Sequence, residues 1–222
     1  MKKLVLVFIL SFGCFISKAQ SEMIKNIFRL LPTEKVYNLT ISARDSMLNG
    51  KTFYPADNGS DEIVAYNYGL SEFVKDYLYI SLSFETGQRA TGMIEIRSLK
   101  MTTGDNMIIV SQTGGVPEIV YEQQDLSTFI YGKDKKLILC KKQIMPSTDG
   151  NKFNKQGIPD SVRKEINANG NIVFDLSKEK LMLSINSQYI ANNKSLRKWL
   201  KGDHIYYNWL KDHFIFNKIE FQ

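Results

Sequence analysis

The chain has 222 residues, of which 43% are hydrophobic and 23% charged, with 14 Gly and 5 Pro. That is enough to bury one core or two small lobes, and it excludes a collagen-like chain, a wholly disordered one and, with no internal repeat, a solenoid. The formal charge of +6 invites a nucleic-acid reading, which the distribution of that charge removes.

The N-terminal segment carries an address. Met1-Lys2-Lys3 is a positive start, Leu4 to Ile16 is an apolar run of 13 residues, and Ser17 and Ala19 are small residues just before Gln20. This pattern predicts a secretory signal peptide over residues 1–19, cleaved after Ala19. As a helix the run would rise about 20 Å, short of a bilayer core of about 30 Å. Ser11-Phe12-Gly13-Cys14 competes as a lipoprotein processing site, but Ser11 and Phe12 stand where Leu and a small residue are wanted. A lipid anchor at Cys14 is therefore not expected.

Cleavage changes the arithmetic. Lys2, Lys3 and Lys18 leave with the leader and no acid does, so 26 basic residues face 23 acidic ones and the mature chain carries +3. The excess lies in the last 29 residues, where Lys194, Arg197, Lys198, Lys201, Lys211 and Lys218 face Asp203, Asp212 and Glu220. A field so small and local predicts no nucleic-acid partner. Cys140 is then the only cysteine, so no intrachain disulfide is expected. No later apolar run reaches 18 residues, so no transmembrane span is expected either. The predicted location is the periplasm or cell envelope, or release from the cell.

Met23 to Leu31 reads as a short helix, which Pro32-Thr33 can end while opening a second. The stripe Val36, Leu39, Ala43 and Met47 carries that second helix to near Leu48, before Asn49-Gly50. Tyr54 to Asp61 is rich in turn formers. The period then changes to two. Leu78, Ile80, Leu82 and Phe84 alternate with Tyr77, Tyr79, Ser81 and Ser83, which predicts a strand buried on one face. Further strands are predicted over Met93–Met101, Met107–Gln112, Ile119–Glu122 and Leu137–Cys140, with Gly114-Gly115 as a break. Such close neighbours must pair mostly antiparallel. Lys141–Pro159 reads as a linker. Beyond it come a short helix over Pro159–Asn167, the alternating sets Ile172/Phe174/Leu176 and Leu181/Leu183/Ile185, a helical turn over Ser195–Leu200, and one or two aromatic strands over Ile205–Phe221. The fold class is α+β: two N-terminal helices, then predominantly antiparallel sheet. It forms a single domain over 20–222, with two lobes of similar layout (20–140 and 160–222).

A leader ending Ala19-Gln20, a helix through Leu30-Leu31-Pro32, then Arg44-Asp45, then a Tyr- and Leu-rich strand around Asp76-Tyr77-Leu78 together resemble a family of small exported bacterial proteins of unknown function. The resemblance spans about residues 22–140. It implies export and an α+β sheet fold, and no reaction or site residues. The repeated order of helix then antiparallel strands also resembles the tandem layout of β-lactamase-inhibitor-type domains, a likeness of fold and not of function.

Few residues point to chemistry. Asp203-His204 and Asp212-His213 lack metal-ligand spacing and have no second Cys, and Asp57-x-Gly59-x-Asp61 lacks the Gly and Glu of a calcium loop, so no metal is expected. Cys140 could pair with His204 or His213 as a nucleophile, but Leu137-Ile138-Leu139-Cys140 reads as a buried run in which a thiol is inert. There is no G-x-S-x-G elbow and no phosphate-cradling glycine motif, and no cofactor is expected. Glu95, Asp105, Glu118 and Glu122 read as solvated residues beside strands.

The aromatics say more. Tyr66, Tyr68, Tyr77 and Tyr79 fall on period-two positions, which predicts a tyrosine row on an outer sheet face, a platform for a partner protein or a sugar ring. The alternative is that a helix or the second lobe covers it. Trp199, Tyr206, Tyr207 and Trp209 interleave with Arg197, Lys198, Lys201 and Lys211, and the favoured reading docks these rings in the core and solvates the cations. The chain is thus expected to be an exported non-catalytic binding or assembly protein whose partner is a protein or glycan. The alternative is an exported hydrolase with a site assembled from distant residues, marked by a deep cleft with convergent, perturbed polar groups.

Overall fold

A computed structural model describes residues 22–49, 63–70, 76–84, 91–116, 120–177, 180–185 and 187–222, with the backbone alone over 63–70. The leader, Cys14 and the Tyr54–Asp61 loop lie outside the described residues. The chain is α+β. Helix α1 covers residues 22–30, and α2 is Ile41–Leu48. Six strands follow as an antiparallel meander in spatial order: β1 (Ile63–Leu70), β2 (Tyr77–Phe84), β3 (Thr91–Lys100), β4 (Asn106–Val116), β5 (Val120–Tyr131) and β6 (Leu137–Leu139). Then come α3 (Asp160–Asn169), β7 (Ile172–Asp175), β8 (Leu181–Ile185), α4 (Ser187–Asn192), α5 (Lys194–Arg197), β9 (His204–Leu210) and β10 (His213–Glu220). Strands β7 to β10 form a second antiparallel sheet.

The first helix ends as expected, but the second starts late. Pro32-Thr33 opens only a 3-10 turn over Thr33–Lys35, after which Tyr37 and Asn38 take left-handed backbone angles. The true cap of α2 is Thr40, whose hydroxyl accepts from the Ala43 N–H at 3.2 Å. A buried cation joins the two helices. The Arg44 guanidinium donates to the carbonyls of Phe28 and Arg29 at 3.0 Å, Leu31 at 2.5 Å and Leu39 at 2.9 Å. It thereby satisfies the orphan carbonyls at the end of α1. Arg29 answers with an ion pair to Asp45 at 2.6 Å.

Both faces of the six-stranded sheet are covered, which β2's alternation alone did not foretell. Leu78, Ile80 and Leu82 join Ile94, Ile96, Ile108 and Val110 under α1 and α2. The residues of opposite parity, including Tyr77, Met107 and Ile109, pack against Phe174, Leu183, Ile205 and Tyr207 of the second sheet. The layers are therefore helices, six-stranded sheet, four-stranded sheet. The stretch read as a linker contributes Met145, Phe153 and Ile158 to the second core.

Three local expectations are corrected. Gly114 and Gly115 do not break the sheet. They lie within β4, opposite Glu122 and Tyr121. A Cβ at Gly114 would stand 2.8 Å from the Tyr37 hydroxyl, which donates to the Thr113 carbonyl at 2.7 Å, so glycine lets Tyr37 lie against the strand. The strand begun at Ile119–Glu122 continues to Tyr131, with a bulge opposite Gln112/Thr113. The run Leu137–Cys140 is not buried: β6 is an edge strand with Ile138 61% exposed, and Cys140 is half-exposed. Its short pairing, to Phe129–Tyr131 only, leaves no layer to cover it.

Lys211 and Asp212, both at positive φ, turn β9 into β10, the two-residue geometry that matches strand twist. This tip docks on the first sheet. The Thr102 N–H and hydroxyl both donate to the Asp212 carboxylate, and the Trp209 indole donates to the Lys100 carbonyl at 2.9 Å. Tyr206 and Tyr207 are buried while Arg197, Lys198, Lys201 and Lys211 are exposed.

Candidate functional site

The tyrosines do not make one row. Register sets Tyr66 opposite Leu82 and Tyr68 opposite Ile80, whereas Tyr79 stands opposite Gly69, so the two pairs occupy positions of opposite parity. The ring of Tyr77 is 5% exposed and sits in the second core, with half-buried Tyr79 packed beside it at 6.2 Å between centroids. The second sheet is what covers them. The side chains of Tyr66 and Tyr68 lie outside the described residues.

Below Tyr77 is a polar group that the sequence reading placed in solvent. Glu95 is 1% exposed. One carboxylate oxygen accepts from the Tyr77 hydroxyl at 2.8 Å and from the Leu176 N–H at 3.2 Å, and the other has no hydrogen-bond partner. Burial, reinforced by the negative charge of Asp175, pushes the Glu95 carboxyl up to about 7, against the pull of its hydrogen bonds and of Arg97. Burial and the neighbouring Glu95 also hold the Tyr77 phenol well above its ordinary value. Arg97 donates to the Leu176 carbonyl at 3.3 Å, and Gln123 accepts from the Phe174 N–H at 3.1 Å. The partners are all on β7 or at its end. Strand β7 pairs with β8 on one side only. On the other side the Phe174 N–H, and the N–H and carbonyl of Leu176 just past the strand, are met by side chains of β3 and β5, groups that a bare sheet edge would offer to a stranger. The cluster is a seal between the sheets.

The second edge of β5 is treated differently. Strand β5 pairs with β4 from Val120 to Tyr131, but with β6 only over Phe129–Tyr131. The Cys140 N–H adds one bond to the Thr128 carbonyl at 2.8 Å, and the chain then departs from the strand. A cleft of about 800 Å³ fills the fork, within the range of ligand-binding pockets. Residues 122–128 of β5 line one side, 139–146 another, and the α3–β7 junction a third. Lys141 and Lys142 are exposed on the departing segment, and among the described residues neither is in an ion pair. Across from them Glu122 is exposed, while Asp125 is held by Lys35 at 2.9 Å.

Cys140 lines this cleft, its thiol 3.5 Å from the Lys142 carbonyl, but neither histidine lines it. His204 is buried against Asp203 at 2.5 Å, and the His213 ring donates from Nδ1 to the Lys211 carbonyl, 2.9 Å away, at the other end of the β9–β10 hairpin. The two Asp-His pairs are therefore not brought together. Among the described residues no three His, Cys, Asp or Glu side chains group to hold a metal ion, and no helix is long and apolar enough to cross a membrane. Sequence reasoning missed the cleft because it joins segments far apart in the chain. The local signal that could have found it is β6, three apolar residues set against a strand of twelve.

No family model and no curated protein match the chain. By structure it is similar to a domain of an uncharacterized protein from Porphyromonas gingivalis W83, with a TM-score of 0.57 and 16% identity, over 88% of this chain and 98% of that one. At that identity the likeness is one of fold.

Proposed function

We propose that the protein is an exported, non-catalytic binding or assembly protein of the bacterial cell envelope, and that it binds its partner in the cleft beside β5. The observation that carries the reading is the unequal treatment of two strand edges: β7 is capped by side chains at Phe174 and Leu176, while β5 is left open on a cleft. An open edge is a template for association, and folds that need none cover it. Among the described residues, the groups whose ionisation burial moves furthest, Glu95 and Tyr77, do not line that cleft. A hydrolase is expected to bring perturbed groups and cleft together. Export rests on the Lys2-Lys3 start, the apolar run and the Ala19-Gln20 junction.

The test is site-specific photo-crosslinking in cells. A crosslinker at Gln124 or Gln143, on the two sides of the cleft, should capture the same partner, identified by mass spectrometry. A crosslinker at exposed Lys218 on β10 should not. Equal capture from Lys218, or none from the cleft, overturns the assignment. The mature chain should begin at Gln20 in an envelope fraction; a cytosolic chain that keeps Met1 would overturn export.

A further inference from the structure

Resting on that reading of the cleft, we infer that its occupant is an extended, acidic segment of a partner protein, added to the six-stranded sheet as a strand along β5. The backbone dictates the shape of the occupant. In an antiparallel strand, successive residues turn their N–H and C=O groups to alternate edges. The Thr128 carbonyl bonds outward to Cys140, so Leu126, two residues back and lining the cleft, turns its own backbone groups the same way. A row of alternating donors and acceptors is matched along its length by another extended backbone. The open stretch from 122 to 127 spans about 20 Å, and the bulge at Gln124 divides it, so regular pairing starts on the side of Leu126, next to β6. Strand β6 already shows the geometry, since it is the strand that occupies this edge before it departs.

The charge dictates the sequence class. Among the described residues Lys141 and Lys142 are in no ion pair and line the side facing β5, where Asp125 is held by Lys35 and Glu122 is the one further acid, so the lysines outnumber the unpaired carboxylates two to one. Carboxylates on an incoming strand would meet those lysines. Exposed Leu139, where β6 meets the cleft, offers an apolar contact for alternate side chains.

The probe is a seven-residue peptide of alternating Val and Glu with blocked ends. Its twin carries N-methyl groups on alternate residues, so that charge and side chains are kept while one hydrogen-bonding edge is lost. The unmodified peptide should bind the mature chain and slow amide exchange at Leu126. The twin should bind at least about tenfold more weakly, a difference of about 1.4 kcal/mol. Charge reversal at the two exposed positions, Lys141→Glu with Lys142→Glu, should weaken the unmodified peptide by a similar factor while leaving the unfolding midpoint in place. Equal binding of the twin, indifference to charge reversal, or no binding at about 1 mM peptide overturns the inference. If cleft crosslinking succeeds and the peptide fails, the binding role stands and the strand-like occupant falls. If both fail, the binding role falls too.

Discussion

Replacing Glu95 by Gln separates the two things this side chain does. As an acceptor it holds the Leu176 N–H and the Tyr77 hydroxyl, and the amide oxygen of Gln can do the same. As an acid it is buried, and its carboxyl holds its proton up to about 7 instead of the ordinary 4.5. Between those values the folded chain binds the proton and the unfolded chain does not. Stability contributed by this group is thus complete below the unfolded value and is lost as the pH rises through about 7. At about 1.4 kcal/mol for each pH unit of that interval, the cost of ionising Glu95 comes to about 3 kcal/mol. The assay is urea unfolding of the native chain and Glu95→Gln, run from about pH 4 to about pH 8. The native chain should lose about 3 kcal/mol relative to the variant across that range. Other titrating groups, including Asp212, whose carboxyl the Thr102 hydrogen bonds lower, act on both proteins and cancel in the difference. A stability difference that stays constant with pH, or grows in the native chain's favour as the pH rises, would refute the reasoning.

Other substitutions probe the scaffold. Arg44→Met keeps an apolar stem but leaves the carbonyls of Phe28, Arg29, Leu31 and Leu39 without their donor. It should cost about 3 kcal/mol or more in urea unfolding, with loss of helical circular dichroism before the sheets melt. Gly202→Ala drives a Cβ into the Glu220 carbonyl oxygen, a backbone atom that cannot swing aside. A loss of about 1–3 kcal/mol is expected, read as a lowered Tm. Gln123→Ala removes the partner of the Phe174 N–H. It should speed amide exchange at Phe174 and cost about 1–3 kcal/mol, since the same amide also donates to Ser111 and to the Gln112 and Asp125 carbonyls at the β4–β5 bulge.

The elements were largely legible because their signals are local. Period-two alternation marked β2, and Asn169-Gly170 marked the end of α3 near its true position. The errors arose where a local signal meets tertiary structure. Tyr77 and Glu95 occupy positions that alternation assigns to a solvated face, and only the second sheet, drawn from residues about a hundred positions away, makes that face an interior. Arg44 looks like an ordinary helix-surface cation until the carbonyls at the end of α1 close around it. Leu137–Leu139 misled in the opposite sense, since an apolar run predicts burial only if some layer is there to cover it. The second half of β5 was readable in principle: Leu126, Thr128 and Ile130 alternate with Ser127, Phe129 and Tyr131. The cleft was not, because its sides come from β5, the segment after β6 and the α3–β7 junction.

The capping of β7 ties the fate of the four-stranded sheet to that of the six-stranded one. Cut away from residues 20–140, the strand Ile172–Asp175 would lose the core contributed by Tyr77, Met107 and Ile109, and also Glu95, Arg97 and Gln123, the side chains described at its outer edge. A fragment of residues 160–222 should therefore polymerise edge to edge rather than persist as a small independent module, and a chain emerging N-terminus first has its guard in place before the vulnerable strand is made.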